Sequence, residues 1–72
     1  MTEEELEFAI FCIENLAERM GRPAPQVFDL LTKQSDLLYG YILPSYDVLH
    51  TQGKDYIVED ILSLLRQKGV CA

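Results

Sequence analysis

His50 is the only histidine of this 72-residue chain, and histidine is the side chain whose charge changes near neutral pH. Two groups that could assist it lie just upstream. On a helix Tyr46 and His50 are four residues apart and share a face, and Asp47, three residues before His50, could orient its imidazole for acid–base chemistry. All three belong to the densest stretch of the sequence, residues 39–53, YGYILPSYDVLHTQG, which holds all but one of the four tyrosines, a proline and two glycines. Catalysis needs more than this, because a nucleophile or substrate-binding groups must converge on a cleft. A helical domain this short leaves little room for a pocket of the usual ~300–1,000 Å³. The expectation is therefore a non-enzymatic protein in which His50 bonds local backbone, with Thr51 as a further partner, and fixes the loop.

The two cysteines offer little more. Cys12 sits among apolar residues in a helical run and Cys71 is the penultimate residue, so the pair reads as a buried thiol and a tail thiol in a reducing compartment, without a disulfide. There is no CxxC and only one histidine, so the usual zinc spacings are absent, and neither metal nor cofactor is expected.

Charge narrows the classes of partner. Residues 1–20 carry six glutamates and one arginine, net −5, whereas residues 21–53 are near −1 and residues 54–72 are neutral. This balance opposes nucleic-acid binding, where neutralising phosphate supplies most of the affinity. The candidate recognition segments agree: residues 46–52 carry no Arg or Lys, residues 26–34 only Lys33, and Gln26 is the one base-reading side chain at a helix start. The acidic N-terminal third suits a basic protein surface instead, although glutamates in a first turn also complement the helix dipole. An acidic start is no signal peptide, and no run reaches the ~18 apolar residues of a membrane span, so a soluble cytoplasmic protein is expected.

The elements that must position these residues are helices. Residues 3–20 predict a first helix, with Thr2 as N-cap, Glu5 completing a capping box, and Gly21 and Pro23 ending it. At 100° per residue Leu6, Ala9, Ile10, Ile13, Leu16, Ala17 and Met20 fall on one broad apolar face, and Glu3, Glu7, Glu14 and Glu18 lie opposite. Phe8 is at the margin, and Phe11 projects between the glutamates. Residues 25–34 read as a second helix opening at Pro25, with Val27, Phe28, Leu30 and Leu31 inward. Ser35 and Asp36 offer a new cap before a helical turn over Leu37–Leu43. Pro44 breaks that run, Ser45 caps a short helix over Tyr46–His50, and Gly53 closes it. Residues 54–68 form the last helix, whose apolar residues Ile57, Val58, Ile61, Leu62, Leu64 and Leu65 cover an arc of about 160°, wider than a usual core stripe.

The expected fold is all-α, a compact bundle of four to five helices with two long ones at about 3–20 and 54–68 and two or three short ones, in a single small domain over residues 1–72. The first and last helices should pack together, Leu6, Ile10, Ile13, Leu16 and Met20 meeting Ile57, Ile61, Leu64 and Leu65. Such a chain buries only about 60% of its unfolded surface. That motivates a partner, and Phe11, stranded among carboxylates, needs a buried contact with this chain's own loop or with a second chain. Tyr39, Tyr41, Tyr46 and Tyr56 either roof the core with their hydroxyls in water or form an aromatic contact patch.

FAIFCIENLAERMGRPAPQVFDLL followed by YILPSYDVLHTQGKDYIVEDI resembles a family of short bacterial domains of unknown function, whose members run F-x-x-F-C-I-E-x-x-A early, then Y-I-x-x-x-Y-D-x-L-H-T-Q-G, and open the last helix Y-I-V-x-D-I. Members are commonly encoded beside proteins resembling ADP-ribosyltransferases, which implies an antitoxin- or immunity-type partner of such an effector. The resemblance brings no catalytic residues. It singles out Phe11, Cys12, Glu14, Tyr46, Asp47, Leu49, His50, Thr51, Gln52, Gly53, Tyr56, Asp60 and Ile61 as motif positions. The leading expectation is a protein-binding module that contacts a basic or aromatic-rich partner through Phe8, Phe11, Glu14, Glu18, Tyr41, Tyr46, Asp47, His50, Thr51 and Gln52. The second is a homo-oligomeric structural or scaffold domain, dimerising through its wide apolar last helix.

Overall fold

Helix α1 (Glu3–Met20) begins where two orphan amides can be satisfied. The Thr2 hydroxyl accepts from the Glu5 amide at 3.1 Å and the Glu5 carboxylate accepts from the Thr2 amide at 2.8 Å, a closed capping box. The helix ends at Gly21, whose φ of 66° is left-handed, and the Arg22 amide returns to the Ala17 carbonyl at 3.1 Å. This is the 6→1 bond of a Schellman motif, and glycine is the residue that adopts its φ without strain.

The computed structural model describes residues 1–70, so Cys71 lies outside the described residues. After α1 come α2 (Ala24–Thr32), a single π-helical turn (Leu38–Ile42), the short α3 (Tyr46–Leu49) and α4 (Lys54–Gln67). The fold is all-α, with no strand among the described residues. Its radius of gyration is 11.0 Å, matching the roughly 11 Å of a compact domain of this length, so no described segment is held away from the rest.

Several boundaries differ from expectation. Pro25 is the second residue of α2, not the first, and Pro23 occupies the N-cap position; neither position needs an amide donor. Ser35 bridges the next turn by donating to the Leu30 carbonyl at 2.6 Å and accepting from the Leu37 amide at 3.4 Å. The turn over Leu37–Leu43 is wider than an α-helix, closed by the Leu43 amide on the Leu38 carbonyl at 3.0 Å, an i→i+5 bond. Ser45 supplies no side-chain cap to α3. Gly53 does not close α3 in a left-handed conformation; at φ −71° it is the N-cap of α4.

α1 packs against both α2 and α4, and α2 against the π turn. The core joins Phe8, Ala9, Cys12 and Leu16 of α1 to Val27 and Leu31 of α2, Leu37, Leu38 and Ile42 of the π region, Leu49 of α3, and Ile57, Val58, Ile61, Leu62 and Leu65 of α4.

Two faces depart from the wheel. On α1 the buried side is turned toward Phe8 and Cys12. Phe8, expected at the margin, is core, whereas Leu6 and Ile10, expected to meet α4, are 50% and 47% exposed, and Ile13 is only half-buried. Length supplies the reason. α2 starts at the C-terminal end of α1 and is nine residues against eighteen, so at 1.5 Å per residue it spans about half of α1 and leaves the first turns without a neighbour on that side. Phe28 of α2 is exposed for its part, leaving Val27, Leu30 and Leu31 inward. On α4 five of the six residues of the wide arc, Ile57, Val58, Ile61, Leu62 and Leu65, are buried by this chain itself, and Leu64 is half-buried. Most of the arc that motivated dimerisation through this helix is therefore already covered.

Candidate protein-interaction surface

The capping box fixes where α1 starts, and the wheel then sets Phe8 and Phe11 three residues apart, on neighbouring positions. Their rings stack at 6.2 Å between centroids and 17° between planes. α3 brings Tyr46 onto Phe8 edge-to-face, at 5.4 Å and 78°. Four residues on, one turn of α3 sets His50 over Tyr46, stacked at 4.4 Å and 8°. The result is a row of four rings, Phe11–Phe8–Tyr46–His50, that crosses from the first helix to the third. Phe8 is buried, Tyr46 half-buried, and Phe11 and His50 are exposed. Such pairs contribute about 0.5–1.5 kcal/mol each beyond area burial, so the row ties the acidic helix to the Tyr39–Gly53 segment. That segment reaches α1, as Phe11 required, but stops at Phe8; Phe11 keeps 37% of its surface.

His50 is held by backbone. Its Nδ1 lies 2.6 Å from the Tyr46 carbonyl oxygen. A carbonyl can only accept, so Nδ1 carries the proton of this bond, and Nε2 has no intramolecular partner among the described residues. Thr51 also turns to backbone, donating to the Val48 carbonyl at 2.7 Å, and it is not the partner of His50. Asp47 is exposed in the first turn of α3 and does not hold the imidazole. Gln52 is exposed, its amide bonded to the Leu49 carbonyl at 3.0 Å.

The remaining candidates lie elsewhere. Tyr41 points to α4, its hydroxyl donating to Asp60 Oδ2 at 2.5 Å. That bond to a carboxylate, burial and the nearby negative charge push the Tyr41 phenol up to about 12. Tyr41 and Tyr46 thus roof the core, while Tyr39 and Tyr56 are more than half exposed. Glu14 is exposed, and Glu18 lines an open cleft of about 280 Å³ between α1 and α4, with Asn15, Arg19, Lys54, Asp55 and Val58. Its volume lies just under the range usual for ligand sites, ~300–1,000 Å³. Arg19 at its edge is ion-paired with Glu59. Burial pushes the Cys12 thiol up to about 12, which keeps it protonated and unreactive at neutral pH. Among the described residues no three His, Cys, Asp or Glu side chains gather as metal ligands, and no helix is long and apolar enough to cross a membrane.

Sequence reasoning missed Leu6 and Ile10 as surface residues, and it missed the Tyr41–Asp60 bond. The second had a faint signal, since Asp60 borders the apolar arc of α4 four residues before Leu64. The pairing across nineteen positions had none.

A family model for proteins of unknown function, designated DUF3791, matches residues 7–68. The chain belongs to that family. The match encloses the aromatic row, the Tyr41–Asp60 bond and every other candidate residue. No curated protein and no solved structure matches the chain.

Proposed function

We propose that the protein is a non-enzymatic binding module that docks a basic protein partner over the aromatic row and the acidic side of α1. The observation that supports this best is the row itself. It joins the Tyr39–Gly53 segment to a helix of net charge −5 over residues 1–20, and its two end rings, Phe11 and His50, are open to contact. Exposed aromatic rings supply contact area at small entropic cost, and flanking charge steers a partner of opposite sign. The resemblance to short domains encoded beside ADP-ribosyltransferase-like proteins supports naming the partner class: a cytoplasmic effector of that kind, bound and neutralised in the manner of an antitoxin or immunity protein. The alternative, a homo-oligomeric scaffold using α4, is less favoured, because five of the six residues of that helix's apolar arc are buried within the chain.

The test is recovery of the partner from the native host with tagged wild-type protein and with the Phe11→Asp and His50→Ala variants, each checked for folding by circular dichroism. The expected result is a partner whose recovery falls with added salt and is lost in Phe11→Asp. Equal recovery by wild type and Phe11→Asp, or no specific partner at all, refutes the proposal.

A further inference from the structure

α1 carries a second surface, separate from the aromatic row. Leu6 and Ile10 are four residues apart, one turn, and each keeps about half its surface, 50% and 47%. Ile13 and Ala17, the next residues along the same side, are only half-buried. The stripe is edged by carboxylates at neighbouring helix positions, Glu3 beside Leu6, and Glu7 and Glu14 beside Ile10, so these glutamates flank the stripe instead of lying opposite it, and they divide it from Phe11. All three are exposed. The two ion pairs among the described residues are Arg19–Glu59 and Asp29–Lys33, so neither draws on this edge. An apolar stripe bordered by unpaired negative charge is complementary to a helix with an apolar seam and a cationic border.

We infer that the Leu6–Ile10 stripe seats a basic amphipathic helix of a protein partner. This inference rests on the protein-binding reading above and gives it a second, distinct contact. The charge selects the occupant. A second copy of this chain would set glutamates against glutamates, and like charges brought together at an interface oppose association. An anionic lipid surface is repelled for the same reason. Two exposed aliphatic residues are also too little for a stable symmetric interface on their own. A standard interface takes about 800 Å² per partner, close to a fifth of the chain's 4371 Å² of accessible surface. A helix lying in the stripe gains the remaining area from lysine and arginine stems laid along the glutamate edge.

The experiment uses the whole protein and a synthetic peptide of about 18 residues, with leucines at helical i, i+3, i+4, i+7 spacing and lysines elsewhere, beside a counterpart with glutamate for lysine. Fluorescence anisotropy is expected to show binding of the lysine peptide alone, weakened by salt, and at least about tenfold weaker with Leu6→Ser/Ile10→Ser. Phe28→Ser, a change to an exposed ring on α2 outside both surfaces, is expected to leave it unchanged. Hydrogen exchange on the wild-type complex gives a reading independent of any variant, with new protection expected in α1 and none in α4. Binding of both peptides alike, indifference to Leu6→Ser/Ile10→Ser, or protection confined to α4 overturns the inference. So does micromolar self-association in sedimentation that the double variant abolishes, since that makes a second copy the occupant. A host partner lost with Phe11→Asp but kept by Leu6→Ser/Ile10→Ser sinks the stripe and leaves the binding reading standing. Failure to recover any partner sinks the binding reading instead.

Discussion

Leu16 and Leu6 stand on the same helix, are the same residue type and share one face on a helical wheel, so truncating each to alanine isolates what tertiary burial contributes. Leu16 has no exposed surface; Leu6 is 50% exposed. For Leu16→Ala the loss combines transfer of the removed carbons with a cavity that the neighbouring core cannot fully close, about 2–5 kcal/mol. Fully burying a leucine is worth about 1.5–3 kcal/mol. Half of that, less the burial already present in a compact denatured chain, bounds Leu6→Ala at about 1 kcal/mol. Alanine's better helix propensity reduces it slightly further. A domain this small holds about 3–5 kcal/mol in reserve, and each kcal/mol moves its melting midpoint by about 4–8 °C. Leu16→Ala is thus expected to melt at least about 8 °C lower, or to be largely unfolded at 25 °C, and Leu6→Ala to melt no more than about 8 °C lower. Thermal and urea denaturation followed by far-UV circular dichroism read both. Losses equal within about 0.5 kcal/mol, the scatter expected of a surface substitution, would show that α1 buries the face its wheel suggests and refute the rotation toward Phe8 and Cys12.

Three further outcomes follow from other contacts. The Tyr41 phenol is raised from its ordinary 10 to about 12, so the folded state holds that proton more tightly. The stability it contributes is complete below about pH 10 and is lost as pH rises toward about 12. Tyr41→Phe should flatten this part of the pH–stability curve, and an unchanged curve rejects the Asp60 bond as its cause. Cys12 has no exposed surface, so in a Cys71→Ser background a thiol reagent should modify it only as fast as the protein unfolds, at a rate that rises with urea; rapid labelling of that variant without denaturant contradicts its burial. Gly21→Ala places a side chain at φ 66° and should cost about 1–2 kcal/mol, while Gly53→Ala at φ −71°, with open space around it, should cost less; equilibrium denaturation compares the two.

Local signals wrote the helices. The Thr2–Glu5 capping box, the Gly21–Pro23 stop and the periodic apolar residues of α4 each act within one or two turns, and each was readable because its physics is complete at that range. His50 bonding the Tyr46 carbonyl is local in the same sense. The side of α1 that faces inward is not. Ten of its eighteen residues are apolar and they extend around most of the helix, so periodicity alone leaves several faces eligible. The choice fell to what could reach them: a nine-residue α2 too short to cover Leu6 and Ile10, and α3 and α4 arriving on the other side to cover Phe8 and pair Glu59 with Arg19. The aromatic row and the Tyr41–Asp60 bond are of this second kind. They join residues whose distance along the chain carries no information, because burial rewards whichever surfaces meet after the helices have formed.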